Sequence, residues 1–322
     1  MLNVLKIFFI TLVLSTILFF IAEKVLRKIQ FGQVERKEGL ESHQKKKGTP
    51  TMAGIVFIII LMIVEIFLYI NRNTNTNFDF ALKLNLFIIL YGFVGLIDDL
   101  LKVLCKNSKG LSSILKFLFQ VLIAYFGIKI CFSEITSNDL WMTLVYIFII
   151  VGTDNGVNFT DGVDGLCGFV TLIIAIFYSY LCYVQLPQIQ NGDILFLNKY
   201  FALLVINIIM LSMLIAFLFF NHYPAKIFMG DAGSLFLGGY VAFMAIALNV
   251  HFYLPMFGII YMLEVLSVIL QVSYFKITKG KRIFKMAPIH HHFEKSGFTE
   301  WQVVIVFSMI TFLGCILTIL IR

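Results

Sequence analysis

The chain has 322 residues, of which 60% are hydrophobic and only 13% are charged, and its formal net charge is +7. Soluble globular domains carry about 25% charged residues, so this composition, with a mean hydropathy of +0.94, excludes a soluble domain. The positive charges are dispersed among short segments without a folded module, which argues against nucleic acid as a partner. The class that remains is an integral membrane protein.

Ten apolar segments have the length of membrane-spanning helices, which need roughly 20 mostly apolar residues. They cover residues 3–24, 51–70, 81–98, 114–132, 140–158, 165–185, 199–219, 232–252, 256–277 and 300–321. The first is too long for the apolar core of a signal peptide and lacks a small-residue cleavage site, so it counts as a span. We predict an all-α polytopic membrane protein, a single domain over residues 1–322 with ten transmembrane helices.

The lysine and arginine residues predict how this bundle is oriented. With ten spans, 19 of the 25 basic residues fall on one side of the membrane, at residues 24–47, 102–116, 226 and 276–295. Loops rich in lysine and arginine stay in the cytoplasm. These four segments are therefore expected to be cytoplasmic and both termini extracytoplasmic. Attraction to anionic lipid is a second consequence of the same charge.

Acidic, amide and imidazole side chains gather at this basic side of the membrane. The set comprises Asp98, Asp99, Asn158, Asp161, Asp164, Asn221, Asp231 and the histidines of "APIHHHFE" at 287–294. Ionisable residues at a membrane are costly and are functional by default. Grouped carboxylates without cysteine suit Mg²⁺, which prefers oxygen ligands. Lysines in the same loops would neutralise a diphosphate: Lys46, Lys102, Lys106 and Lys116. The pattern predicts metal-dependent phosphoryl chemistry.

Two local motifs support this interpretation. The segment "MGDAGS" at 229–234 is a glycine-rich entry into a helix, where free backbone N–H groups attract anions. In "DGVDG" at 161–165 the two acids share one face if the turn is helical, although this motif alone also describes calcium-binding turns. The three adjacent histidines do not predict zinc, because neighbouring residues rarely point at one ion and no cysteine completes a site.

Five segments together resemble the polyprenyl-phosphate N-acetylhexosamine-1-phosphate transferases. They are "SHQKKKGTPTMAG" (42–54), "GLIDDLLK" (95–102), "NFTDGVDGL" (158–166), "NHYPAKIFMGDAGSLFLGG" (221–239) and "APIHHHFE" (287–294). Within that superfamily the chain is similar to the branch that transfers phospho-N-acetylmuramoyl-pentapeptide. The resemblance implies a homodimer of ten-helix subunits in the bacterial cytoplasmic membrane, with Mg²⁺ as cofactor. It also implies UDP-N-acetylmuramoyl-pentapeptide and undecaprenyl phosphate as substrates, and lipid I and UMP as products, in peptidoglycan synthesis.

The resemblance also implies a role for individual residues. Asp231 matches the magnesium ligand, and Asp98 and Asp99 match the paired catalytic acids, with Asp98 as the base or nucleophile. Lys116 and His290 complete the expected catalytic set. The remaining matches are expected to bind substrate: Lys46, Thr51, Lys102, Lys106, Asn158, Asp161, Asp164, Asn221, Phe228, Gln271, His291 and His292. Phe228 stands where an aromatic ring stacks on uracil, and Gln271 stands for an amide beside the nucleotide.

The chain departs from the family pattern at three positions. Asp154 and Gly156 stand where serine and alanine are usual, and Ala53 stands for a glycine. Asp154 adds a further charge near the site. For three polar residues inside spans, Glu65, Asn207 and Glu264, helix–helix hydrogen bonding and function are both open interpretations.

Two other functions compete with this hypothesis. A secondary transporter would carry its acids near mid-membrane and show repeat symmetry, whereas here the acids gather at one face and no internal repeat is visible. A sister enzyme that transfers GlcNAc-1-phosphate would carry most of the same motifs. The reaction route is open as well, because the residues allow both a covalent two-step path and direct attack by the lipid phosphate.

Overall fold

The computed structural model describes residues 2–29, 48–70, 79–105, 110–133, 139–186 and 194–322. These residues form twelve α-helices and a short 3-10 turn at His251–Tyr253. The helices are α1 Leu2–Lys28, α2 Ile55–Ile70, α3 Asp79–Leu104, α4 Ser113–Cys131, α5 Leu140–Thr160, α6 Leu166–Gln185, α7 Ile194–Asn221, α8 Gly230–Ala247, α9 Leu254–Phe257, α10 Ile259–Ile277, α11 Ile289–Glu294 and α12 Glu300–Ile321. The described chain is all-α, which confirms the predicted class.

Each of the ten predicted spans overlaps a helix. Nine helices within the described ranges are long and apolar enough to cross a membrane: α1, α3, α4, α5, α6, α7, α8, α10 and α12. The remaining one, α2, has 16 residues and is shorter than a full crossing. The count of ten crossings and the orientation of the termini remain predictions.

Helix α8 forms the centre of the bundle. Every residue from Ala232 to Ala247 is buried, so α8 is enclosed by protein on all sides. It packs most closely against α3 and then against α5, while α7 packs between α1 and α6. By contrast α4 buries only Gln120, Ala124, Gly127 and Ile128 and exposes a row of large apolar side chains, as expected for a helix that faces lipid.

Two helices end differently from the sequence prediction, and the first difference concerns the acidic residues. Helix α3 continues beyond residue 98 to Leu104, so Asp98 and Asp99 lie on a helix and not in a loop. The α8 helix ends at Ala247, and the 3-10 turn and α9 separate it from α10. The acidic pair of α3 is therefore held by helical backbone hydrogen bonds, which fix its geometry.

The predicted orientation can be tested with a thiol reagent that does not cross membranes. Cys105 is the exposed cysteine among the five, so the Cys105→Ser variant gives the background. We expect Arg322→Cys to react from outside intact spheroplasts, because the terminus is predicted to be extracytoplasmic. Lys281→Cys, in the basic loop, is expected to react only after the membrane is permeabilised. Labelling of both positions from the same side would contradict the predicted topology.

Candidate active site

The acidic side chains meet where four helix ends converge: the C-terminal ends of α3 and α5 and the N-terminal ends of α4 and α8. Asp231 lies in the first turn of α8, where the helix dipole stabilises negative charge. Gly95 of α3 lies directly against the backbone of Asp231, and a Cβ at Gly95 would overlap the carbonyl of Asp231. This close approach brings Asp98 and Asp99, on the next turn of α3, beside Asp231.

Both oxygens of the Asp231 carboxylate accept hydrogen bonds from three different helices. Oδ2 accepts from Lys102 Nζ at 2.7 Å and from Lys116 Nζ at 2.9 Å. Oδ1 accepts from Asn158 Nδ2 at 2.8 Å, and the same amide also contacts Ser234 Oγ at 2.7 Å. Asp231 therefore links α3, α4 and α5 to the start of α8.

Asp98 and Asp99 are buried and each is held by a backbone N–H group. Asp98 Oδ1 accepts from Leu111 N at 2.7 Å, and Asp99 Oδ2 accepts from Ala232 N at 3.0 Å. Lys102 Nζ lies 2.6 Å from Asp98 Oδ2 and 3.5 Å from Asp99 Oδ1. One ammonium group thus contacts all three carboxylates, which would otherwise repel one another.

The three carboxylates have the geometry of a divalent-metal site. Each of Asp98, Asp99 and Asp231 offers an oxygen atom, and these atoms lie within 4.8 Å of one another. Oxygen donors without sulfur or imidazole match the preference of Mg²⁺. Their charge exceeds that of the two lysines in contact with them, so the donor set fits a divalent cation.

A second group of predicted residues holds the loops beside this cluster. Residues 161–165 form a turn and not a helix, so the expectation of a shared helical face for the two acids does not apply. Asp161 follows the end of α5. Asp164 Oδ2 accepts from Ala225 N at 2.9 Å, which fastens this turn to the segment before α8. Asn221 accepts from Gly165 N at 3.1 Å and donates to Ile227 O at 2.8 Å.

The residues before α8 pair with the segment before α2. Phe228 N donates to Pro50 O at 2.8 Å, and Ala53 N donates to Phe228 O at 3.0 Å. Phe228 is partly buried in this arrangement. Gly230 has a φ of +67°, and a Cβ at this position would lie 3.0 Å from Thr51 Oγ1. Thr51 therefore borders the start of α8, and its predicted role in binding substrate stays a prediction. Lys46 and Lys106 lie outside the described residues.

The basic loop between α10 and α11 is anchored by two polar residues. Gln271 Oε1 accepts from Ile283 N at 3.1 Å and from Phe284 N at 2.9 Å. His292 Nδ1 accepts from Lys285 N at 3.1 Å. His291 Nδ1 lies 2.7 Å from Glu294 Oε2, within α11. Gln271 and His292 thus shape the loop in addition to any contact with a nucleotide.

His290 is the most deeply buried of the three histidines, with 1% of its surface exposed. Its Nδ1 lies 3.1 Å from Glu264 Oε1, and Glu264 is fully buried. A Cβ at Gly162 would overlap His290 Nε2, so the turn between α5 and α6 packs directly on this ring. The carboxylate–imidazole pair therefore joins α10 and α11 to that turn, and gives Glu264 a specific partner.

The other intramembrane polar residues form helix–helix contacts. Tyr240 OH donates to Asn207 Oδ1 at 2.6 Å, between α8 and α7. Glu65 of α2 has a hydrogen bond with the Asn85 side chain of α3. The sequence interpretation did not single out Ser234, although its place one turn after Asp231 in a glycine-rich helix start puts it on the same face. It also passed over Gln120, which no motif marks.

The sequence of residues 81–249 matches the model of the family "Glycosyl transferase family 4". Over most of its length the chain is also similar to proteins named phospho-N-acetylmuramoyl-pentapeptide-transferase. It is 42% identical to that of Clostridium acetobutylicum over 310 residues, which cover 92% of each chain. It is 40% identical to that of Staphylococcus carnosus over 320 residues, 94% of this chain and 93% of the relative. Identity to the Clostridium perfringens (strain SM101) protein is 39% over 318 residues, 95% of this chain and 93% of the relative.

Proposed function

Because the chain belongs to glycosyl transferase family 4, we propose that it transfers phospho-N-acetylmuramoyl-pentapeptide from UDP-N-acetylmuramoyl-pentapeptide to undecaprenyl phosphate. The products are lipid I and UMP. The observation that carries this proposal is the cluster of three carboxylates and two lysines at one end of the bundle. It occurs in a chain whose similarity to the named transferases extends over more than nine-tenths of its length.

The main obstacle to this reaction is electrostatic, because a phosphate must approach a diphosphate. Lys102 and Lys116 lie at the cluster and reduce the repulsion between the two anions. Asp98, Asp99 and Asp231 would hold Mg²⁺ through one oxygen each. When bound there, the metal supplies positive charge that stabilises the diphosphate and the departing UMP. Asn158 keeps the Asp231 carboxylate oriented through its hydrogen bond to Oδ1.

The chemistry requires one bond to form and one to break. A lipid phosphate oxygen attacks the sugar-linked phosphorus, the bond to the UMP phosphate breaks, and its electron pair leaves with UMP. The lipid phosphate is mostly dianionic at neutral pH because its second pKa is about 6, so a base adds little. Both oxygens of Asp98 are engaged, by Leu111 N and by Lys102 Nζ. These contacts favour direct attack over Asp98 as a nucleophile.

We assign the choice of donor to the basic segment at residues 279–298, which lies between α10 and α12. Residues that bind the UDP part contact a group common to many UDP-sugars. Selectivity for the peptide-bearing sugar must therefore come from a different part of the protein. The loop supported by Gln271 and His292 carries lysine and histidine side chains, and His290 packs against Gly162 in the turn that follows α5. Histidine can donate hydrogen bonds to phosphate or peptide carbonyl groups.

We expect the purified protein, with undecaprenyl phosphate and Mg²⁺, to release UMP from UDP-N-acetylmuramoyl-pentapeptide about a hundredfold faster than from UDP-GlcNAc. The factor corresponds to about 2.7 kcal/mol of differential transition-state binding. Comparable rates with both donors would move the protein to the sister branch that transfers GlcNAc-1-phosphate. Absence of UMP release with either donor would contradict the proposed function as a whole.

The proposal includes a location and an assembly. The protein would lie in the bacterial cytoplasmic membrane with the carboxylate cluster at the cytoplasmic face, because Lys102 and Lys116, from a segment predicted to be cytoplasmic, contact the cluster. The lipid substrate would then reach the site laterally from the bilayer. A homodimer is the assembly that we propose from the family relationship.

A further inference from the structure

One turn below the carboxylate cluster, a second set of polar side chains joins α4 to α5. Gln120 Nε2 donates to Asp154 Oδ2 at 2.6 Å, and Gln120 Oε1 accepts from Asn155 Nδ2 at 3.1 Å. Gln120 is 1% exposed and Asp154 is fully buried. The amide of Gln120 thus both donates to and accepts from α5.

The register of these contacts relates them to Asp231. On α4, Gln120 follows Lys116 by four residues, and on α5, Asp154 precedes Asn158 by four residues. Residues four apart lie on one face of a helix, about 6 Å apart along its axis. Lys116 and Asn158 are the two residues that bring α4 and α5 to the Asp231 carboxylate. The Gln120–Asp154 contact therefore joins the same two helices, one turn farther from their site ends.

Helix α4 has little else to hold it at this level. Of its four buried residues, Gln120 is the one nearest to Lys116, and the other three are Ala124, Gly127 and Ile128. Apolar side chains face lipid as readily as protein, so hydropathy does little to fix the rotation of such a helix, and a buried polar contact adds a directional restraint. Tyr91 OH adds one restraint from α3, because it donates to Gln120 O at 2.7 Å.

The position of Asp154 is also fixed on its other side. Gly238 of α8 lies against it, and a Cβ at Gly238 would overlap the Asp154 carboxylate. Gly238 follows Asp231 by two helical turns on the same face of α8. Oδ1 of Asp154 has no hydrogen-bond partner within the described part of the chain. Asp154 is thus wedged between Gln120 and α8, where a change in its length would move α5.

We propose that Gln120 and Asp154 are positioning residues, a buried clamp that sets the placement of Lys116 and Asn158 on Asp231. This inference rests on the proposed function, because turnover is one of its readouts. It also gives a role to Asp154, a fully buried carboxylate to which the proposed reaction assigns none. Breaking the clamp is expected to displace Lys116 and lower kcat while the donor's KM stays nearly unchanged.

The decisive variant is Gln120→Leu, which keeps the side-chain volume and removes both hydrogen bonds. We expect kcat for UMP release to fall by about tenfold to a hundredfold, because small displacements of charged groups have effects of this size. The KM for the nucleotide donor is expected to change less than twofold. Asp154→Leu removes only the hydrogen bond to Gln120, so it should lower kcat by no more than Gln120→Leu does. The double variant should lose no more than Gln120→Leu alone, since the contact between the two residues is already absent in that variant.

Two further variants separate positioning from general stability. Asp154→Asn keeps an oxygen that accepts from Gln120, so it should retain at least half of the kcat. Asn207→Leu removes an equally short buried contact, between α7 and α8, away from the cluster. It should lower Tm as much as Gln120→Leu while kcat stays within twofold. Full activity of Gln120→Leu, equal losses in Asn207→Leu, or failure of Asp154→Asn to retain activity would each overturn the clamp. Failure of the unmodified protein to turn over would instead reject the proposed function.

Discussion

Replacing Asp231 with alanine is expected to lower UMP release by about a thousandfold, the largest effect of any single substitution in this chain. Its carboxylate is the point at which α3, α4 and α5 meet, through Lys102, Lys116 and Asn158. Without it, two lysines lose their anchor and the proposed metal loses one of its three oxygen donors. The measurement is the initial rate of UMP release at saturating donor, lipid phosphate and Mg²⁺.

Two controls make this prediction specific. Asp231→Asn keeps the volume and one oxygen but removes the charge, so it should lose nearly as much activity as the alanine variant. Asp139→Asn makes the same chemical change at the far end of α5, where Asp139 caps the helix by accepting from Met142 N. An asparagine also serves as a cap, so this variant should keep near-normal activity. An Asp231→Ala variant that released UMP at more than a tenth of the normal rate would contradict the proposed role of Asp231 in turnover.

Replacing Lys102 with methionine is expected to reduce turnover by about a hundredfold and to make stability depend on divalent metal. Lys102 Nζ is in contact with all three carboxylates. Once it is removed, Asp98, Asp99 and Asp231 repel one another, and the Tm in EDTA should fall by several degrees. A divalent cation that binds only the folded state raises Tm by mass action. In the unmodified protein Mg²⁺ would compete with Lys102 for the same oxygens, so the Mg²⁺-induced rise should be larger in the variant.

The matched control for this experiment is Lys129→Met. Lys129 lies at the other end of α4, where its Nζ is 3.3 Å from Thr143 Oγ1. The same loss of charge there should leave both turnover and the Mg²⁺ response of Tm unchanged. Equal Mg²⁺-induced shifts in the Lys102 variant and in the unmodified protein would show that the three carboxylates do not hold the metal.

The cluster itself could be predicted from the sequence, because motif position and helix polarity together specify it. Asp98 and Asp99 end one apolar run, Asn158 ends another, and Asp231 begins a third. In a bundle of antiparallel neighbours such ends meet on one side of the membrane. Lysines in the adjoining segments indicate that this side is cytoplasmic, and they also offset the negative charge of the carboxylates. The same reasoning therefore predicted Lys102 and Lys116.

What the sequence left open depends on contacts between helices that are distant along the chain. Whether Gln120 contacts Asp154, and whether Glu264 contacts His290, depends on the rotation of each helix about its axis. In a membrane that rotation follows from packing between helices, and hydropathy hardly constrains it because lipid and protein interiors are equally apolar. The turn at 161–165 was also undetermined, since a glycine-rich stretch is compatible with a helix or a turn. Only the assembled bundle specifies these features.

The complete burial of α8 has a consequence for the biogenesis of the protein. Its mean hydropathy of 1.3 is the lowest of the nine long helices, and it carries Asp231 and several glycines. A segment of this kind partitions weakly into lipid on its own. Its main neighbours, α3 and α5, precede it in the chain and are already synthesised when it emerges from the ribosome. We therefore expect α8 to enter the membrane by docking onto these earlier helices, so that Asp231 reaches the bilayer only when the helices that surround it are already in place.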